Sequence, residues 1–499
     1  MKLILLNILL LSLSSFAQET KDYFEIEHTD YFKLTSYNTI NKMYFYKNNF
    51  SLLRYKFNAK KKNDFYLIEQ GNQSNENTFY YKSVFSTKDY FLNGEAQYSY
   101  TTIKNCQWNE ISNYDIIYPY IIADTIGGDF NSQNYYLNGD FIKRFNNWHL
   151  GINANLHYGS DYRTRNPRPK NEFSKIKLNI GISYNHSKSI TSIGLGYLNY
   201  KQNNQIKMFD SPTVLKYYFY KGLGEVYSYN LVKGITISEL NNNYSFNSFS
   251  INLQNFTNQK KGFIYEINYQ LSKLEQIPNF IGKNVLFDRL DNKLNLKFGY
   301  QSKNKTSELY FYSQNNLDLQ KGNEFVYKKS SNGYSLHHQT TRYYSTNYNS
   351  ELNILFKKLL NKNNFSLNFK IKYTHYNEKL KYNPEKKYTY QNLNLNLNPN
   401  ITIKQNKGYS QINIGYQSKI NISHSIKNLE IYKDNTNLSY FNKINYYNTN
   451  FNLYNLGYNY FHKLKKQSNY FFTKLKFEHM LPKNYKSNYF YSIAIGVII

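Results

Sequence analysis

Apolar and polar side chains alternate with a period of two in many segments of this chain. In residues 148–159 (WHLGINANLHYG), the even positions are apolar or aromatic and the odd positions are polar or glycine. At helical spacing the two sets would mix on every face, so the pattern predicts a strand. A tilted strand of about ten residues crosses a bilayer. We therefore predict membrane-spanning strands with one apolar face and one face toward a wet interior.

The same alternation recurs toward the C-terminus. Residues 489–499 place Tyr489, Tyr491, Ile493 and further apolar residues on one face, and this aromatic-rich last strand resembles the strand that barrel-assembly machinery recognises. Other alternating segments are 176–184, 263–271, 294–300, 365–373, 393–397 and 412–416. Strands before residue 90 are short and ambiguous. We expect about 18 strands in all, with 16 or 20 as alternatives.

Connections between these strands alternate between short and long. Polar turns such as Asn146–Asn147 are short, and the predicted long connections are 104–133, 160–173, 202–243, 272–290, 315–348, 377–387 and 421–447. Transmembrane barrels have short periplasmic turns and long extracellular loops. The predicted fold class is therefore all-β: an antiparallel transmembrane β-barrel with its short turns in the periplasm.

The N-terminus has the pattern of a secretory signal. Lys2 precedes an apolar stretch, and Ser15-Phe16-Ala17 is a small-x-small motif before Gln18. We expect a cleaved signal peptide at 1–17, a short periplasmic segment at 18–38 and the barrel at 39–499. On this division neither an N-terminal plug domain nor a C-terminal appended domain is expected, and the location is the outer membrane of a Gram-negative cell.

Composition changes this picture little. The 56 Tyr, 35 Phe and 2 Trp suit the aromatic belts of a barrel, and the mean hydropathy of −0.71 is compatible with one because only one strand face is apolar. The formal charge of +29 could indicate nucleic-acid binding. Lys, Asn, Tyr and Ile are all enriched together, however, which indicates an AT-rich genome. We expect no nucleic-acid partner.

Three of the seven arginines lie close together in residues 161–171 (DYRTRNPRPKN). Guanidinium groups make planar bidentate contacts with carboxylates and phosphates that Lys does not make. Arg163, Arg165, Arg168 and Lys170 are therefore candidate ligands for an anionic solute or lipid headgroup. The alternative is that these arginines pair with carboxylates such as Asp161 and Asp124 and fasten loops over the barrel.

A second segment, 118–129 (YPYIIADTIGGD), has an apolar centre that would be unfavourable in water. We expect it to pack into the barrel mouth or against the arginine-rich segment, with Gly127 and Gly128 allowing a tight reversal. The candidate loop-packing residues are Tyr118, Tyr120, Asp124, Gly127, Gly128 and Asp161. The two glycines do not form a phosphate-binding loop, because no Lys and helix follow.

The blocks 118–128 and 161–171 together resemble a family of uncharacterised outer-membrane β-barrel proteins of Bacteroidota. The expected cut between Ala17 and Gln18 and the spacing of the strands around Gly71 and Gly94 are similar to that family as well. The resemblance extends over nearly the whole mature chain. It implies a barrel fold and an outer-membrane location, and it brings no activity and no functional residue.

Enzyme motifs are weak. Ser335, His337 and His338 lack a Gly-x-Ser-x-Gly elbow, and His149 and His157 are about 26 Å apart along a strand at roughly 3.3 Å per residue. The single Cys106 leaves no disulfide or thiolate cluster. We expect no enzyme, no cofactor and no metal.

Two functions remain as hypotheses. The first is a porin-like passive channel or facilitator for small solutes, since a polar lumen can select solutes by charge. The second is a structural barrel whose extracellular loops dock a surface lipoprotein or secretion component. The expected partners are outer-membrane lipid and lipopolysaccharide, barrel-assembly machinery during biogenesis, and in the second case the lipoprotein.

Overall fold

A computed structural model describes residues 39–44, 46, 49–207, 215–231, 241–257, 259–331, 333–360, 363–429, 438–464 and 469–499. The predicted signal peptide (1–17) and periplasmic segment (18–38) lie outside the described residues. The strand and helix bounds below refer to the described part of the chain.

Eighteen antiparallel strands form one closed barrel, which confirms the predicted fold class. Each strand pairs with the next barrel strand in the chain, and β1 closes the ring by pairing with β21. The barrel strands are β1 (Phe50–Lys61), β2 (Gln73–Ser86), β3 (Tyr90–Cys106), β5 (Gly128–Phe145), β6 (Trp148–Arg163), β7 (Arg168–Asn185), β8 (Ser189–Lys207), β11 (Asn242–Thr257), β12 (Lys261–Pro278), β13 (Phe287–Lys303), β14 (Ser307–Ser330), β15 (Gly333–Leu359), β16 (Asn363–Leu380), β17 (Lys386–Gln405), β18 (Gly408–Lys427), β19 (Phe451–Lys463), β20 (Tyr470–Pro482) and β21 (Asn488–Ile498).

A few elements lie outside the wall. A separate small sheet contains β4 (Ile122–Ala123), β9 (Leu215–Gly222) and β10 (Glu225–Leu231). The helices are α1 (Tyr114–Ile117), α2 (Leu438–Asn448) and three 3₁₀ helices, Thr39–Tyr44, Ile68–Gln70 and Asn279–Ile281. Among the described residues, no helix is long and apolar enough to cross a bilayer.

Side-chain alternation sets the two faces of the wall. On β6, Ile152 is 47% exposed on the outer surface, whereas its neighbour Asn153 is buried inside with 5% exposure. The even-numbered apolar residues of 148–159 thus point outward and the odd-numbered polar ones inward, as predicted. Exposed Leu, Ile, Phe and Tyr side chains occur on the outer face of strands around the ring. This apolar outer face is the surface that lipid covers in an outer-membrane barrel.

The two ends of the barrel differ. At one end, called here the turn end, the connections between consecutive strands contain two to six residues. At the other, called here the loop end, four connections exceed ten residues: 62–72, 107–127, 208–241 and 428–450, the last of which carries α2. By the rule for transmembrane barrels, the turn end is periplasmic and the loop end extracellular.

Four predicted long loops are wrong in extent. Residues 272–290 contain an eight-residue connection, 279–286, between β12 and β13. Residues 160–173 contain a four-residue connection, 164–167, between β6 and β7, and residues 377–387 contain only 381–385. Residues 315–348 are almost entirely strand, because β14 and β15 run for 24 and 27 residues. Beyond the bilayer both faces of a hairpin meet water, so its sequence loses the apolar alternation and looks like a loop.

Candidate functional site

At the loop end of the lumen, two segments leave the wall and fold inward, and they pack beside α2 and residues 62–72, whose Tyr440, Ile444 and Ile68 are also buried. The first is 107–127, which contains α1 and β4, and the second is the β9–β10 hairpin, 215–231. Backbone pairing of Ile122 with Phe219 and of Ala123 with Tyr218 joins them into one small sheet. We call residues 107–127 and 215–231 together the plug.

The plug packs against the wall through aromatic and aliphatic side chains. Tyr217, Phe219 and Ile121 are each 1% exposed and belong to one cluster with inward-facing wall residues such as Tyr200 and Tyr244. Full burial of such a side chain contributes about 1.5–3 kcal/mol. This cluster explains why the apolar centre of 118–129 lies inside the barrel rather than in water.

One polar anchor joins the plug to β6. The Arg163 guanidinium donates from Nη2 to Glu110 Oε1 at 2.9 Å and also to Asp124, and its Nε donates to the Pro167 carbonyl at 2.9 Å. The side chains of Arg163, Glu110 and Asp124 are essentially inaccessible to solvent. Asp124 also accepts the backbone N–H of Gly127 at 2.8 Å. Arg163 therefore holds both ends of the first plug segment.

A second anchor lies on another part of the ring. Arg289 of β13 donates to the Ile116 carbonyl at 3.1 Å and to the Tyr118 carbonyl, while Asp291 holds its guanidinium with an N–O distance of 2.7 Å. The Tyr118 hydroxyl in turn donates to Glu378 of β16 at 2.5 Å. The plug thus has polar contacts with the wall from β6 to β16, and it crosses the lumen.

Gly322 of the wall leaves space for the Tyr120 side chain of the plug. Its ring stacks on Phe287 with centroids 4.7 Å apart. A Cβ at Gly322 would come within 1.9 Å of the Tyr120 hydroxyl oxygen, so only glycine leaves room there. Close by in the plug, the Tyr118 ring has the Lys443 ammonium of α2 at 3.3 Å from its centre. Burial lowers the pKa of Lys443.

A shorter part of the chain, residues 39–44 together with Tyr46, lies across the turn end, and we call it the mouth segment. Ile40 is fully buried, Lys42 pairs with Asp140 at 2.8 Å, and the Tyr44 hydroxyl lies 2.9 Å from His149 Nδ1. Tyr46 accepts a hydrogen bond from Lys82 at 2.7 Å. The mouth segment packs in one cluster with inward apolar residues of seven strands: Phe50, Leu52, Val84, Phe91, Ile142, Phe461, Phe472 and Ile498.

Between plug and mouth segment the lumen is polar and contains a cavity of about 310 Å³ beside β18–β21 and β1. Four cationic side chains line it: Arg54, Lys56, Lys474 and Lys476. No acidic residue is in its lining. These four residues are not among the candidates predicted from the sequence. The signal for them is the alternation of charged residues with Leu and Phe in 50–61 and 470–482.

The four candidate anion ligands of the arginine-rich segment are not brought together. Arg163 lies in the plug anchor, and Arg165 is exposed in the β6–β7 connection. Arg168 donates to Asn166 at 3.0 Å, and Lys170 pairs with Glu172 at 2.6 Å.

The candidate loop-packing residues lie at or next to the plug. Tyr118, Tyr120 and Asp124 belong to it and contact the wall as described above. Gly127 ends its first segment with a φ of 63°, and Gly128 opens β5 beside the Arg163 side chain. Asp161 of β6 accepts a hydrogen bond from Ser112 of the plug. Among the described residues, no group of three or more His, Cys, Asp and Glu side chains could hold a metal ion.

The Arg163 anchor should respond to pH through Glu110. Burial, and then the negative charge of Asp124, raise the pKa of Glu110 well above its ordinary 4.5. Burial also disfavours charge on Asp124, but the hydrogen bond to Glu110 and the Arg163 guanidinium hold the pKa of Asp124 below its ordinary 3.8. These directions favour a protonated Glu110 beside an ionised Asp124, so that one negative charge faces Arg163.

We predict that the plug loosens as pH rises. A group with a raised folded-state pKa contributes stability that is complete below its ordinary pKa and is lost as pH rises through the raised one. Protease cleavage within 107–127 should therefore accelerate in the wild type as the pH rises from the ordinary pKa of Glu110 through its raised one. Glu110→Gln, which copies the protonated acid, should remove this acceleration, whereas Glu172→Gln on the exposed wall should keep it. Equal acceleration in all three proteins would contradict the protonation of Glu110.

A protein-family model, described as a family of unknown function (DUF6850), matches residues 41–499. The chain belongs to this family. The match spans the mouth segment from Asn41, the whole wall and both plug segments. No curated protein matches the sequence.

Three solved structures are among those similar to this DUF6850 chain. The ferric preacinetobactin receptor BauA from Acinetobacter baumannii has a TM-score of 0.41 and 8% identity, over 90% of this chain and 80% of that one. The ferric yersiniabactin uptake receptor FyuA from Yersinia pestis has a TM-score of 0.39 and 6% identity, over 91% and 80%. CdiB from Acinetobacter baumannii has a TM-score of 0.37 and 8% identity, over 90% and 60%. At these TM-scores the likenesses carry no inference about ligands.

Proposed function

We propose that this protein is a gated outer-membrane channel for small solutes, in which the plug closes the extracellular end of the lumen. One observation carries the proposal: a polar chamber lies beneath a plug that is built from the barrel's own connections. Barrels of 16–18 strands without a plug leave an aqueous channel, because wall side chains alone do not fill so wide a lumen. Displacing the plug would therefore open a path along the inner wall.

The proposal refines a simple passive channel. The Arg163 and Arg289 anchors favour the closed arrangement, so solute passage requires the plug to move. The proposal assigns transport and no catalytic step. We also propose that the signal peptide at 1–17 directs export of the protein. The sequence resemblance further implies an origin in Bacteroidota.

Electrical recordings in planar bilayers test the proposal. The full chain should give little steady conductance. A variant with short Gly-Ser linkers in place of 109–126 and 209–240 should give stable conductance steps, because the eighteen wall strands are intact. A third variant that also lacks the mouth segment should conduct more, since that segment no longer narrows the turn end.

The outcomes separate the two original hypotheses. High steady conductance of the full chain would contradict gating and support an open pore. Absence of conductance in all three folded barrels would contradict transport altogether. The docking barrel would then be the better account, and the part of the β14–β15 hairpin beyond Glu324 would be its first surface to test, because β13 pairing ends there.

A further inference from the structure

The cavity between plug and mouth segment has an unusual electrostatic lining. Arg54 and Lys56 of β1 and Lys474 and Lys476 of β20 line it, together with Asn413, Asn455 and Asn459. Amide groups supply further hydrogen-bond donors beside the four cations. Its volume of about 310 Å³ lies at the lower end of the range for small-molecule sites.

Strand register explains why the cations converge. Ala494 of β21 pairs with Lys56 on one side and with Lys474 on the other. The backbones of these two lysines are therefore two strand spacings apart, roughly 10 Å. Ser492 and Gly457, which pair with Lys476 from either side, are also small. Small residues between long cationic ones leave an open space that the ammonium groups surround.

Two other lysines on the inner wall are paired with carboxylates. Lys293 lies 2.9 Å from Asp318, and Lys370 lies 2.9 Å from Glu351. Lys476 of the cavity lining pairs at 2.6 Å with Glu478, which is not part of the lining. Among the described residues, Arg54 and Lys56 have no ion-pair partner, and the buried Arg54 Nε has no hydrogen-bond partner. Their charge is available to a ligand.

We propose that this cavity binds a compact oxyanion carrying two or more negative charges, either a phosphate or a small polycarboxylate. Arg54 supplies a planar fork for two oxygens, and the lysines supply point charges around it. The site lies on the solute path of the proposed channel, and to that extent the inference rests on the proposed function. Phosphate and polycarboxylate both present negatively charged oxygens, which is what the cations of the cavity recognise. Binding measurements with each anion show which of the two is bound.

Isothermal titration calorimetry on the detergent-solubilised full chain tests the proposal with inorganic phosphate and citrate as probes and glucose as the neutral control. We expect saturable binding of one or both anions and none of glucose. Arg54→Gln combined with Lys56→Gln should weaken binding at least tenfold. Arg54→Lys should weaken it less, because it keeps the charge and loses the fork. Lys293→Gln, a lysine of the same wall outside the cavity, should leave binding unchanged.

Each result decides for or against the site. Unboiled samples in gel electrophoresis verify that every variant has a folded barrel. No saturable binding to the folded wild type, or equal weakening by Lys293→Gln, would overturn the proposal. Binding is measured on the closed protein and does not depend on conductance. A barrel that binds citrate or phosphate yet never conducts would disprove the channel alone, and a channel that binds neither would disprove the anion site alone.

Discussion

Arg163→Ala is expected to detach the first plug segment from β6 and raise the open fraction of the barrel by about 100- to 4,000-fold. The substitution leaves Glu110 and Asp124 buried without their cation. Removing one partner of a buried ion pair costs about 3–5 kcal/mol, and each 1.4 kcal/mol is roughly a tenfold change in an equilibrium. The eighteen wall strands do not depend on this contact, so the cost falls on plug closure.

Two measurements follow this change. Protease cleavage within 107–127 should accelerate in Arg163→Ala, and channel openings in planar bilayers should become frequent. Arg165→Ala is the matched control, because that arginine is two residues away and exposed. If Arg163→Ala and Arg165→Ala behave alike in both measurements, the buried triad does not hold the plug, and the Arg289 anchor is the next contact to test.

The second large effect concerns the outer wall. Leu397→Arg should strongly reduce the folded yield in lipid vesicles, because Leu397 lies on the outward face near the middle of β17. An Arg facing lipid at the bilayer midplane destabilises a barrel by about 2–4 kcal/mol. Asn396 is its neighbour on the same strand and faces the lumen. Asn396→Arg should therefore fold nearly as well as the wild type.

Folding into vesicles of stated lipid composition, with urea titration of each variant, measures this difference. A larger loss for Asn396→Arg than for Leu397→Arg would reverse the assignment of inner and outer faces. Equal tolerance of both would mean that the outer face of β17 does not contact lipid.

The wall could be predicted from the sequence where alternation is uninterrupted. Residues 148–159 place every apolar side chain outward, and local pattern alone determines the strand. The β1 strand is harder to predict from the sequence. Its inward-facing Arg54 and Lys56 are charged, so this part of the chain resembles a polar loop. The prediction of a loop at the β14–β15 hairpin was wrong for a related reason. Outside the bilayer, water contacts both faces of the hairpin, so its sequence does not need to alternate between apolar and polar residues.

The interior could be predicted only in part. The apolar centre of 118–129 indicates a buried segment, since exposing it would be unfavourable. Its wall partners, Arg289 and Glu378, lie more than 150 residues further along the chain. Which strands face one another across the lumen depends on ring closure and register, and neither is encoded in a local pattern. The same holds for the cavity, whose cations come from β1 and β20.

The attachment of the plug has a kinetic consequence. Its first segment leaves the wall after Cys106 and returns at Gly128, and these two residues pair with each other. Both ends of this segment are therefore attached to the wall at a single point on the rim, and the segment stays bound to the barrel that it closes. Closing is then a first-order process whose rate does not change with protein concentration. Each barrel re-closes by itself after every opening.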